Sequence, residues 1–128
     1  MSRPSPQLFE EAVSAPQDRG RRGEELVGRY LEAGGWTILA RNYRSRYGEI
    51  DLIAENGTFL AFVEVKLRKG GGKVQGREAV DWRKQDRLRK TALLYLTQNE
   101  TSLQPRFDVA DVEDGPDGPF IAYLENAF

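Results

Sequence analysis

Two apolar runs joined across Asn56-Gly57 constrain this chain more than any other feature: Gly48-Glu49-Ile50-Asp51-Leu52-Ile53-Ala54 on one side, and Phe59-Leu60-Ala61-Phe62-Val63-Glu64-Val65-Lys66 on the other. Asn-Gly between alternating hydrophobics is the strongest short-range hairpin signal, because both residues tolerate the positive φ of a type I′ turn. Pairing Glu55 with Thr58 sets the register. Glu49 then faces Glu64, Asp51 faces Phe62, and Tyr47 faces Lys66. Side chains alternate with a period of two, so Glu49, Asp51, Glu64 and Lys66 project from one side of the sheet, with Asp51 and Glu64 as diagonal neighbours.

Diagonal antiparallel neighbours lie roughly 7–8 Å apart, close enough for two carboxylates to converge on one cation. Ionised groups inside an apolar strand cost several kcal/mol if unpaired. A cluster of three carboxylates and one lysine therefore predicts either a raised carboxyl pKa or a bound divalent cation that keeps the acids ionised. The all-oxygen donor set points to Mg²⁺ or Mn²⁺, since a zinc site normally recruits cysteine or histidine and the chain has neither. The competing reading is a structural ion pair, Glu64 with Lys66, opposite ordinary solvent-facing acids. That reading predicts polar residues along the whole face, whereas the same face carries Leu60 and Phe62. Without histidine or cysteine the usual nucleophilic dyads and triads cannot be built, so hydrolysis would require metal-activated water.

The chain has 128 residues, enough for one sheet with helices packed on it. The absence of cysteine excludes a disulfide framework and fits a reducing compartment. There is no secretory leader pattern, and no stretch approaches the roughly 18 apolar residues of a membrane span, so the expected location is the cytoplasm, with no membrane partner. The net charge of −1 hides an uneven distribution. Arg41 to Lys90 holds 13 Lys or Arg against 7 Asp or Glu. That local excess is the footprint expected for a phosphate backbone, and it predicts a nucleic-acid partner, which the family resemblance given below makes DNA rather than RNA. The candidate phosphate contacts are Arg44, Arg46, Arg68, Lys69, Lys73 and Arg77, the last four flanking a Gly70-Gly71-Gly72 break that suits a phosphate clamp. A solvated helix and a basic loop would give the same composition.

Met1 to Asp18, with three prolines and no sustained periodicity, is expected to be a mobile tail, and 19–128 the folded domain. Arg21–Ala33 reads as a helix with Leu26, Val27, Tyr30 and Leu31 on one face and Gly34-Gly35 as its stop. Glu24 lies in its first turn, where simple dipole complementarity also favours an acid. Trp36–Tyr43 is a first strand, followed by hairpin strands at 48–55 and 58–68. Arg77–Gln98 is a second helix whose series Val80, Lys84, Leu88, Ala92 and Leu96 puts a lysine on the apolar face, where its ammonium can snorkel to Glu64 or to a phosphate. Trp82 falls off this face. Arg106–Val112 and Phe120–Glu125 complete the sheet, and Glu113 to Pro119 is an acidic turn.

This order, αβββαββ, is an α/β arrangement, and Asp followed by Glu-x-Lys on the next strand resembles the PD-(D/E)xK nucleases of restriction-endonuclease-like fold. Gly23-Glu24, Tyr30-Leu31, Asn42-Tyr43-Arg44, Gly48 to Ala54, Phe62 to Lys66 with Arg68, Ala79-Val80, Lys84, Arg106-Phe107-Asp108-Val109 and Asn126-Ala127-Phe128 together resemble the YraN family of poorly characterised bacterial proteins. The superfamily's proline is replaced by Ile50, and Gln75 stands where the family pattern has an aromatic. The resemblance implies an αβββαβ core with a mixed sheet flanked by helices, similar to Holliday-junction resolvases. It further implies Asp51, Glu64 and the Val65 carbonyl as metal ligands and Lys66 as catalytic lysine, with Glu24 as an auxiliary acid; Glu49, from the hairpin register, and Lys84, from its place on the apolar helix face, are added as auxiliary residues. The expected activity is Mg²⁺- or Mn²⁺-dependent endonucleolytic cleavage of branched or structured DNA. A homodimer is expected by analogy of fold alone. The alternatives are a non-catalytic nucleic-acid-binding module that retains the fold, and a scaffold protein.

Overall fold

The computed structural model describes residues 16–69 and 80–128. Helix α1 (Pro16–Ala33) leads into strands β1 (Thr37–Ser45), β2 (Gly48–Glu55) and β3 (Phe59–Lys69). Helix α2 (Trp82–Gln98) and strands β4 (Gln104–Asp114) and β5 (Phe120–Leu124) follow. The sheet order is β1-β2-β3-β4-β5, with β3 and β4 parallel and the other neighbours antiparallel. This is the expected α/β class, a mixed five-stranded sheet flanked by helices and consistent with a restriction-endonuclease-like core.

Each helix covers one face of the sheet. Val27 and Leu31 of α1 pack on Leu52, Ala54, Ala61, Val63, Ala110 and Val112. Leu88, Ala92 and Tyr95 of α2 pack on Ile50, Ile53, Leu60, Phe62 and Val109. Burial on both faces explains why β3 reads as a near-continuous apolar run, as central parallel-paired strands do. Gly23 allows α1 close approach, since a Cβ there would lie 3.2 Å from Val65 and 3.3 Å from Leu67.

Element boundaries depart from the sequence expectation where side chains decide them. Helix α1 begins at Pro16, so residues 16–18 are helical and not tail. Proline suits a first helical turn, where its missing N–H has no partner to lose. Residues 1–15 of the expected tail lie outside the described residues. Helix α2 begins at Trp82 instead of Arg77, because the Asp81 side chain accepts from the Lys84 amide at 2.9 Å and caps it. Strand β4 continues through Glu113 to Asp114, where an acidic turn was expected. Arg68 lies 3.7 Å from Glu113, and Arg22 donates to Asp114 at 2.8 Å, which holds both acids in the strand.

The hairpin register is shifted from the expected one. Glu55 pairs with Leu60, Ala54 with Ala61, Ile53 with Phe62 and Leu52 with Val63. The connection is therefore Gly57-Thr58, closed by the Asn56 amide donating to the Phe59 carbonyl at 3.3 Å. Only Gly57 of the two turn glycine-asparagine residues has positive φ, at 93°. Asn56 instead uses its side-chain oxygen to accept from the Thr58 and Phe59 amides at 3.0 and 2.8 Å, an Asx turn that takes the place of the expected I′ geometry. Carried past the paired residues, this register sets Asp51 level with Glu64 and not with Phe62.

Candidate functional site

Asp51 stands where β2 departs from strict alternation. Ile50 and Ile53 both pack on the α2 side, while Leu52 and Ala54 pack on the α1 side, so the two-residue period slips between 50 and 52. On β1 the residue at the same level is Asn42, between the pairs Arg41↔Leu52 and Tyr43↔Ile50, and its φ is 52°. Irregular pairing of this kind re-aims a side chain. The Asp51 carboxylate thereby reaches across to β3, where Oδ2 accepts from the Val65 amide at 2.8 Å. Burial, the Glu64 charge and, to a smaller extent, Glu24 push its pKa up from 3.8 to about 7, against the opposing pull of the Val65 bond and Lys84.

Glu64 is 5% exposed and holds two lysines. Its Oε1 lies 2.8 Å from Lys84 Nζ and 3.8 Å from Lys66 Nζ. The snorkelling read for Lys84 is what places it there, on the inward face of α2 one turn before Leu88. Burial lowers the pKa of Lys84, but the hydrogen bond and charge of Glu64 outweigh it and leave the ammonium raised above its ordinary value. Lys66 moves the other way. Burial and the adjacent Lys84 charge lower it, only partly offset by Glu64.

Glu24 completes the group from the α1 side, its Oε1 accepting from Asn42 Nδ2 at 2.9 Å. Burial raises its pKa, the Asn42 bond lowers it, and Glu49 and Asp51 also act on it. Two helices and two strands thus deliver Glu24, Asp51, Glu64, Lys66 and Lys84 to one region of the sheet. Glu49 is not brought to Glu64 as the expected register required. It faces its β1 partner Arg44, at 3.7 Å.

The cations expected to contact phosphate divide into different environments. Arg44 and Arg46 are exposed near the β1–β2 turn. Arg68 is committed inward, donating from Nε to Asp111 at 2.9 Å, with Glu113 3.7 Å from Nη1. Lys69 ends β3, and Lys73, Arg77 and the triple-glycine segment lie outside the described residues.

Three polar residues of structural weight were given no role in the sequence reading. Asn42 was quoted only as part of a pattern, yet it orients Glu24. Asp111 and Asp108 sit inside the apolar run of β4 and are buried, the same signal that drew attention to Glu64. Asp108 accepts from Arg106, from the Tyr123 hydroxyl at 2.6 Å and from the Asn126 amide at 2.9 Å, a closed network away from the carboxylate cluster.

As a metal site, Asp51 and Glu64 offer hard oxygen donors of the right kind for Mg²⁺ or Mn²⁺. Among the described residues no three Asp, Glu, His or Cys side chains form a set that could hold an ion by themselves. Any ion would need backbone oxygen, water or a ligand to complete its shell, and Lys84 would have to share Glu64 with it. The fit rests on the desolvated Asp51 carboxyl beside Glu64 and Glu24, a repulsion that a cation would relieve.

Comparison with known proteins matches residues 23–112 to Uncharacterised protein family UPF0102. A UPF0102 protein of Symbiobacterium thermophilum is 49% identical over 111 residues, covering 85% of this chain and 94% of that protein. One of Alkaliphilus metalliredigens is 44% identical over 110 residues, covering 85% and 96%. One of Acidothermus cellulolyticus is 41% identical over 128 residues, covering 91% and 97%. The match spans α1 from Gly23 onward, the hairpin with Asp51, Glu64 and Lys66, helix α2 with Lys84, and most of β4, and the chain belongs to the UPF0102 family, also called YraN.

Proposed function

We propose that this protein is a metal-dependent endonuclease of the PD-(D/E)xK type that hydrolyses phosphodiester bonds in DNA, with branched or structured DNA as its substrate class. The observation that carries the proposal is the convergence of Asp51, Glu64 and Lys66 from adjacent strands, with Glu24 and Lys84 delivered from opposite helices. A divalent ion held by Asp51, Glu64 and the Val65 carbonyl would polarise the phosphate and lower the pKa of a bound water. The chain's own groups supply orientation and charge. The Val65 amide fixes Asp51, and Lys84 fixes Glu64, so both carboxylates are positioned before substrate arrives. Lys66 sits beside them as a cation that can stabilise charge developing on the phosphoryl oxygens, or, with its lowered pKa, accept a proton from water.

The test is cleavage of branched, flapped and single-stranded DNA with Mg²⁺ or Mn²⁺ by wild type and Glu64→Ala, beside metal binding by calorimetry. Cleavage lost in the variant supports the enzyme. No cleavage of any substrate together with no metal binding removes it.

A second reading has one observation in its favour. The 2.8 Å contact with Lys84 already neutralises Glu64 within the protein, as in a structural ion pair. On that reading the protein is a nucleic-acid-binding module that retains the fold without catalysis, and its DNA affinity would be indifferent to divalent metal.

A further inference from the structure

Trp82 is the most exposed large apolar side chain among those described, at 70%, and it opens α2 two residues before Lys84, the lysine bonded to Glu64. Along an α-helix that step is about 3 Å of rise and about 200° of rotation, so the ring stands on the solvent face of α2, on the other side of the helix from Lys84. The Arg83 guanidinium sits 5.1 Å from the indole centroid. Helix α2 carries Arg83, Lys84, Arg87, Arg89 and Lys90 against a single acid, Asp86. A second ring has the same company. Tyr47, in the β1–β2 turn, receives a hydrogen bond from Arg46 at 2.7 Å, and it has Arg46 at 4.9 Å and Lys90 at 5.8 Å from its centroid. Arg87 packs near Gly48, the first residue of β2 after that turn. Trp82 and Lys90 are eight residues apart, about 12 Å along the helix.

An exposed tryptophan in an apolar patch would fit a protein partner, but this ring carries a guanidinium, and the cations of α2 outnumber the acids Asp81 and Asp86 beside it. Alternating aromatic rings and cations suit a single nucleic-acid strand: bases stack on the rings and phosphates meet the arginines. We propose that the outer face of α2, with the β1–β2 turn, is a track for single-stranded nucleic acid in which an unpaired base stacks on Trp82. The track deepens the proposed function and rests on it, for it selects substrates that have a single-stranded segment as well as the phosphate to be cut.

The experiment is fluorescence anisotropy of labelled oligothymidine and of a blunt duplex of equal length. It uses the full chain without divalent metal, in wild type, Trp82→Ala and Trp82→Phe, each checked for unchanged thermal unfolding. Loss of one stacked base predicts that Trp82→Ala weakens single-strand binding about 5- to 100-fold, while Trp82→Phe keeps most of it and duplex binding changes little. Equal single-strand affinity in Trp82→Ala and wild type overturns the track and leaves the ring to a protein contact. Equal losses on single strand and duplex overturn it as well. If Trp82→Ala binds normally and metal-dependent cleavage persists, only the track fails, whereas a wild type that binds neither probe removes the track and the nucleic-acid reading together.

Discussion

Lys84 Nζ lies 2.8 Å from Glu64 Oε1, a full ångström closer than Lys66 Nζ, which shares the same oxygen at 3.8 Å. The tighter partner of the β3 glutamate thus comes from helix α2, and the lysine two residues along its own strand is left with a weaker hold. Glu64 is satisfied without Lys66. On the proposed function, Lys66 is then the lysine whose charge would serve the phosphate.

Lys84→Ala should leave a buried carboxylate short of its main partner. Unfolding in urea is expected to show a loss of about 1–3 kcal/mol, the cost of an unsatisfied buried acceptor. Added Mg²⁺ should restore more stability to this variant than to wild type, because the ion meets Glu64 without competition. Equal gains in both proteins would mean that Lys84 and the ion do not contend for the same oxygen.

The acid dependence of stability follows from Asp51. Its folded pKa, about 7, lies above the ordinary 3.8, so across the interval between them the native state keeps a proton that the unfolded chain has released. Stability contributed by this group is therefore full below about pH 4 and declines as pH rises toward 7. Asp51→Asn should abolish that slope and raise stability at pH 8 by on the order of 1–2 kcal/mol, as removal of a desolvated functional charge does. Thermal unfolding between pH 4 and 8, with and without the substitution, checks the sign.

Arg68→Ala separates structural from ligand-binding cations. Its guanidinium is directed to Asp111 and Glu113, so the expected result is a lower midpoint in denaturant unfolding, with the salt dependence of DNA binding unchanged. Arg46→Ala should do the reverse, leaving stability within about 0.5 kcal/mol and reducing the slope of log affinity against log salt by about one. Titration of both variants with DNA across a salt series distinguishes them.

Asp108→Ala should be the most destabilising of these changes, by about 3–5 kcal/mol, because it strands the buried Arg106 and removes the acceptor of the Tyr123 hydroxyl and the Asn126 amide. Metal binding measured by calorimetry on the folded fraction should be unaffected, since the network stands apart from Asp51 and Glu64.

Much of this arrangement was legible because apolar periodicity reports burial directly. The continuous run from Phe59 to Val65 marked a central strand, and the lysine at the position before Leu88 in the α2 series marked a snorkelling contact that Glu64 receives. What escaped was local geometry that side chains impose on the backbone. Asn56 capped its own turn with a side-chain oxygen, which moved the register, and Asn42 adopted positive φ opposite Asp51, which broke the alternation on which the face assignment rested. Neither depends on hydrophobic pattern. The errors partly cancelled: the shift by two kept Asp51 close to Glu64, while Glu49 was turned away to Arg44. Asp111 went unread because its partner Arg68 was taken for a surface cation, and the parallel pairing of β3 with β4 that unites them is a long-range fact.

The amide of Val65 donates to a side chain where a strand amide ordinarily meets a neighbouring carbonyl. Its proton is consequently tied to the ionisation of a single carboxyl instead of to the integrity of a ladder. In a nuclear magnetic resonance spectrum that one backbone signal would follow the state of Asp51, shifting as the carboxyl gains a proton or takes on a cation, while the amides of Val63 and Phe62 beside it stay still. The fold carries its own indicator at the centre of the cluster, readable without substrate and without any label.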